Sequence, residues 1–370
     1  MLFFNVNYLF ALIAGFVAMI VFDKKTYTKK RIILYGSFIL VVGIASYFFF
    51  RDNPDYVLNH LKDYPQTTSL YVKENGEELI TYQSDIVRPL ASTVKMLIAV
   101  EYAMQINAGI IAKDSPVSLD NLKRYFIKNT DGNAHEDWLK TMSGEGKVNA
   151  NTDFLIDLLG ITNINERAKS LKLTQHEEVY PIVSSLLIPE HIENETLSEK
   201  QLIKKLREMP IATYRSKAEE LSEQMKVGTI KAEDISFDMS MDLQKVWSDR
   251  LIGASANDYG KLLAIISNDE LPEGAAVTIR DLLEWPMQYN EQNHERFVHL
   301  GAKGGSTSFV LNDAIYAEDH HDNKIEMVIF TYDLNIWQGL LIRKNMNSFE
   351  SKLLGSKDYR LKIQKKLSEF

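Results

Sequence analysis

The chain has 370 residues, 45% of them apolar and 25% charged, with a formal net charge of -8. That mildly acidic balance, without a long basic run, excludes nucleic acid as the main partner. No cysteine is present, which excludes a disulfide framework, a thiolate metal site and a cysteine nucleophile.

Residues 1–50 differ from the rest. Leu2 to Phe22 and Ile32 to Phe50 are apolar runs of roughly 20 residues, the length a helix needs to cross about 30 Å of hydrocarbon. Between them lie Lys24, Lys25, Lys29, Lys30 and Arg31 against a single Asp23. The positive-inside rule assigns this short loop to the cytoplasm. The expectation is a two-pass cell-membrane anchor, with everything after Phe50 extracellular. A cleaved signal peptide fits less well, because the leading segment is not basic and a second apolar run follows it.

A connector is expected over residues 51–66, containing a short helix from Asp52 to Pro65, and a single domain over 67–370. Two strand-like runs, SLYVKE and EELITYQ, flank Asn75-Gly76, a strong hairpin signal. Pro89 then precedes an apolar run from Leu90 to Met104 with helical periodicity. A largely helical insertion is expected at about 115–290, with a capping box at Thr196–Glu199 opening one of its helices. Strand-like segments return at RFVHLGAKGG, FVLNDAIYAE and KIEMVIFTYDL, and helices follow from about Trp337. Strands at both ends around a helical middle predict an α+β domain. Its single antiparallel sheet would be covered by the terminal helices on one face and the central block on the other.

Three segments can carry chemistry. In PLASTVKML, Ser92 and Lys95 are one helical turn apart and share a face. A serine hydroxyl needs a base within reach, and burial would depress the lysine pKa enough for it to serve. A helix-capping serine followed by a surface lysine reads equally well here. In HLGAKGGSTSFV, Lys303 precedes Gly304 and Gly305. Paired glycines in a strand mark either a close backbone or ligand approach or an edge bulge. In VNANTDFLIDLLG, Asn149 and Asn151 front an apolar helix, where an asparagine can simply cap. The histidines form no metal-binding pattern, and no phosphate loop or dinucleotide fingerprint is present. No cofactor or metal is therefore expected.

The ordered set of Ser92-x-x-Lys95, an asparagine heading a second helix and Lys303-Gly304-Gly305 in a late strand resembles the class A β-lactamases and penicillin-binding D,D-peptidases. The resemblance runs from about Thr67 to the C-terminus and implies a β-lactamase-like fold. It implies Ser92 as the acylated nucleophile, Lys95 as its base, and Lys303, Gly304 and Gly305 as the lysine–glycine strand. Ser306 would supply a backbone N–H to the oxyanion hole together with Ser92. The substrate it implies is a β-lactam or a D-Ala-D-Ala stem peptide of peptidoglycan. Two departures stand out. Aligning Asp153 and Gly160 makes Asn149 the middle-motif asparagine, but Lys147 then falls where the family has a serine. The segment VYPIVSSLLIP also carries no carboxylate where class A enzymes hold their deacylating Glu. A membrane-anchored serine hydrolase is expected, the alternative being a penicillin- or muropeptide-binding sensor that does not turn over.

Overall fold

In the computed structural model the described residues are 51–112, 150–192, 197–231 and 239–369. The two apolar runs expected to span a membrane, and Lys147, Asn149 and Thr196, lie outside them. Among the described residues no helix is long and apolar enough to cross a membrane. Residues Asn53–Phe370 form one compact unit.

The frame is a five-stranded antiparallel sheet in the order β2-β1-β7-β6-β5. Strand β1 spans Thr68–Glu74 and β2 Glu77–Tyr82. They are joined at Asn75 and Gly76, whose φ angles of 50° and 86° are those a type I′ turn requires. Strands β5 (Phe297–Ser306), β6 (Val310–Asp319) and β7 (Lys324–Tyr332) form a meander, which leaves β5 at the sheet edge.

Alternation along the strands sends residues to two separate cores. Tyr71, Val310, Ala314, Tyr316, Val328 and Phe330 face the central helical block. Leu70, Leu311, Ile315, Met327 and Ile329 face the terminal helices. Helix α1 (Pro54–Asp63) belongs to that second core: Val57, Leu58 and Leu61 are fully buried. The segment expected as a connector over residues 51–66 is therefore part of the domain, because these three apolar residues share one helical face.

Among its described residues the central block is largely helical, with one feature that sequence patterning did not show. Gly253–Ala254, β4, pairs with Arg88–Pro89, β3, as a two-residue bridge. A capping box does occur in this block, at Ser198 and Gln201 of the helix Glu199–Glu208.

Two buried polar side chains bind the chain around Leu90 to the sheet. Arg88 donates to Ser69 Oγ (3.2 Å), Thr68 O (2.9 Å), Pro65 O (3.2 Å) and Gln66 O. Asn312 is wholly buried on β6. Its Nδ2 donates to Pro89 O (2.8 Å) and Leu90 O (3.2 Å), while its Oδ1 accepts from Thr331 N (3.0 Å). Leucine at position 312 would remove all three bonds; Leu90 O keeps the one from Thr93 N (3.1 Å), while Pro89 O and Thr331 N lose theirs, at about 1–3 kcal/mol each where water cannot reach them. Asn312→Leu is expected to lower the urea midpoint clearly, whereas Asn75→Asp at the exposed hairpin should leave it nearly unchanged.

Candidate active site

The site begins with a strained backbone. Ala91 takes φ +48°, a left-handed conformation that costs a residue with a Cβ about 1–2 kcal/mol. The turn that this produces launches the 3₁₀ segment Ala91–Val94, and helix α2 (Lys95–Asn107) continues from it. Ser92 is left partly open on the turn, while Thr93, Val94 and Lys95 are buried. Strain next to a candidate nucleophile is held by the surrounding packing, here the Asn312 bonds and the Leu90 N to Ile252 O bond of 2.9 Å.

Strand β5 lies directly against this turn, and Gly305 makes that possible. A Cβ built at Gly305 would stand 2.4 Å from Leu90 O, 2.5 Å from Thr93 Oγ1 and 2.7 Å from Thr93 N. Of the two sequence readings of the glycine pair, close backbone approach is the one found.

Lys303 is on the same sheet face as Gly305, two residues back. It is 6% exposed, and its Nζ donates to Gly304 O at 2.7 Å. Burial pulls its pKa down to about 8, partly opposed by the carboxylate of Asp313. Lys95 is equally buried, and its pKa is pulled further, to about 7. Burial is the main cause; the nearby Lys303 ammonium adds to it, and the charge of Asp153 opposes it. Near neutrality an amine in this state is divided between its two forms, so it can accept a hydroxyl proton and return it.

Ser92, Lys303, Gly304, Gly305 and Ser306 line one cavity of about 460 Å³. The Thr307 N–H points back to Val310 O at 3.0 Å. Because successive N–H groups of an edge strand alternate in direction, the Ser306 N–H points away from β6.

In the sequence Asp153 serves only to align the middle motif, and its bonding partners are set by the fold. It heads helix α3 (Ala150–Leu159). From there it fixes the following loop: Ile182 N (2.8 Å), Val183 N (3.0 Å) and Ser184 N (2.7 Å) all donate to it, as does Ser184 Oγ (2.7 Å). Ser185 Oγ donates to Ile182 O (2.6 Å) and accepts from Trp247 Nε1 (2.9 Å). The loop polar groups are thus engaged internally. Of the two carboxylates just upstream, Glu178 pairs with Arg215 at 3.6 Å, and Glu177 accepts from Gly253 N (3.0 Å) and Arg215 (3.2 Å). It is held by the β3–β4 bridge.

A sequence model of the beta-lactamase enzyme family matches residues 55–350. The chain belongs to that family. Among curated proteins, none matches the chain. Among solved structures, a β-lactamase from Sphaerobacter thermophilus is 16% identical, with TM-score 0.51, over 81% of this chain and 96% of its own. That likeness shows a shared α+β fold. A class A β-lactamase from Bacteroides cellulosilyticus is 14% identical (TM-score 0.47, 86% and 98% covered), and PBP-A is 15% identical (TM-score 0.46, 79% and 95% covered). No metal-binding group of three or more His, Asp or Glu occurs among the described residues.

Gly305→Ala forces the Ser92 turn off β5. The expected outcome is a clearly lower melting temperature. Gly339→Ala has open space at the new Cβ and lies in a helix. It should hold or raise the melting temperature.

Proposed function

We propose that this member of the beta-lactamase family is a membrane-anchored serine hydrolase that acylates Ser92 with a β-lactam or a D-Ala-D-Ala peptide amide. The observation that carries the reading is a partly open hydroxyl, Ser92, at the head of a helix whose next turn begins with a lysine held near neutrality by burial. Lys303 shares the cavity.

Ser92 Oγ attacks the carbonyl carbon as its proton passes to neutral Lys95. The carbon–nitrogen bond then breaks, and the leaving nitrogen takes that proton back. The Ser92 and Ser306 N–H groups carry the transient oxyanion, and the Lys303 ammonium attracts the substrate carboxylate. Asn149 is placed among the catalytic residues by resemblance alone. Release of the acyl group is slow on this reading. Its support is the sequence Val179–Pro189, which has no carboxylate, and the engagement of Glu177 by Gly253 and Arg215.

The apolar runs before Phe50 and the basic loop between them support a two-pass anchor with the domain outside the cell. The chain is expected to stay with the membrane fraction after alkaline carbonate washing. Appearance in the wash would remove the anchor.

Incubating the full-length chain with a fluorescent penicillin should label it on Ser92 and leave Ser92→Ala unlabelled. The label should persist, and nitrocefin should turn over far below ordinary lactamase rates. Equal labelling of the variant would exclude Ser92 as the nucleophile.

The labelling rate should also rise with pH and level off above about 7, the value at which Lys95 loses its proton. The neutral amine is the base, so the rate follows the deprotonated fraction. A rate falling with pH across that range would point to another base.

A further inference from the structure

The helix that follows β7, α4 (Ile336–Gly355), opens with large apolar side chains in solvent. Trp337 is 71% exposed, Ile336 62% and Leu340 51%. Their helical spacing puts them on one face, which the exposed Arg343 and Asn347 continue. Single exposed apolar residues are ordinary, whereas a cluster of them marks an interaction surface. The charge here runs against that of the chain. Over α4 and the last helix, α5 (Lys357–Ser368), eight Lys and Arg stand against Glu350 and Asp358, in a chain of net charge -8. Glu350 is buried, and Arg360 is buried on Glu74, but Lys352, Lys357, Lys362 and Lys365 are exposed. Ile342 and Phe349 of α4 share a core with Ile363 and Leu367 of α5. Both helices therefore cover one side of the sheet and turn their outer faces the same way.

The chain enters the domain on the same helix. Asn53 N donates to Asn345 Oδ1 at 2.7 Å, and α1 follows with Val57, Leu58 and Leu61 in the core beneath α4. Phe50, the last residue of the second apolar run, is three residues upstream of Asn53, and three residues span at most about 10 Å. Trp337 is eight residues from Asn345, about 12 Å along the helix axis. An apolar cluster with a tryptophan, on helices rich in lysine and arginine, suits the surface of a bilayer. Ring and alkyl groups enter the headgroup layer there, and the cations meet lipid phosphate.

We propose that Ile336, Trp337 and Leu340, with the exposed cations of α4 and α5, dock the domain on the anionic lipid surface of its own membrane. The proposal rests on the two-pass anchor, whose short link to Asn53 keeps α4 within reach of that surface. A second copy of the chain fits less well, because a two-fold contact would set these cations against their own counterparts. Arg343 and Asn347 also line the Ser92 cavity. Docking therefore holds that cavity beside the bilayer and favours substrates presented there.

Tryptophan quenching tests it on the full-length chain, reconstituted into vesicles of phosphatidylcholine and phosphatidylglycerol with brominated acyl chains. Trp247 and Trp285 are hydrogen-bonded inside the domain, to Ser185 Oγ and Ala302 O. Relative to unbrominated vesicles the wild type should be quenched. Trp337→Phe should remove most of that quenching, and Trp285→Phe should keep it. Omitting phosphatidylglycerol, or adding about 1 M salt to shorten screening to about 3 Å, should reduce it by about twofold or more. Quenching that Trp337→Phe leaves intact, or that ignores lipid charge and salt, overturns the proposal.

Leu340→Cys gives a second check, since the chain has no other cysteine. In the same vesicles this variant should stay monomeric under mild oxidation. A disulfide-linked dimer would put a second copy on this face and overturn the proposal. If alkaline carbonate strips the chain from vesicles on which Trp337 was quenched, the anchor reading fails and the lipid-facing surface stands.

Discussion

The whole site depends on one close approach, that of the turn carrying Ser92 onto the edge strand at Gly305. The strand offers no side chain there, so Leu90 O and Thr93 N come within the distance a Cβ would occupy. Nothing in that contact is attractive enough to hold a left-handed alanine in place. The hold comes from Asn312 beneath it and from Arg88 beside it, two buried groups with five hydrogen bonds to backbone carbonyls between them. Such polar anchors are costly to leave half satisfied, which makes the geometry they impose close to all-or-none.

Two buried lysines follow from the same packing. Each is driven toward neutrality by loss of water, and the charge of Lys303 lowers Lys95 further. Asp153 tempers this, yet three N–H groups and a hydroxyl already bond to it. It works as a fixed background charge and a clamp on the loop rather than as a proton carrier. The same clamp turns the loop serines inward.

The pleat of β5 divides the chemistry between the two faces of the sheet. Odd-numbered positions, Lys303 and Gly305, lie on the face that meets the Ser92 turn, and Gly304 lies on the other face, toward Asp313. An ordinary strand keeps such faces apart with side chains. Two successive glycines at an edge remove that partition, which is why one cavity touches both. The fold shared with the Sphaerobacter thermophilus β-lactamase supplies the frame. What lines the far side of this cavity is a property of the individual residues.

Much of this was legible in the chain itself. Period-two and helical patterns placed the hairpin at Asn75-Gly76, the late meander and the layered sheet, because burial on one face imposes those patterns locally. Ser92, Lys95 and Lys303-Gly304-Gly305 were visible as residue types in order. Their meaning was not. A serine and a lysine one turn apart read equally as a cap and a surface charge until burial is known. Glycines in a strand read equally as a bulge until the opposing turn is seen. The β3–β4 bridge, the Asn312 and Arg88 anchors and the Asp153 clamp join residues from 19 to 223 positions apart. Asp313 and Glu350 line one cavity only because β6 and the helix that follows β7 pack together. Sequence determined which elements form, since each depends on neighbours within a few residues. Tertiary structure alone decided which polar groups lose water and which charges meet, and those two conditions set the chemistry.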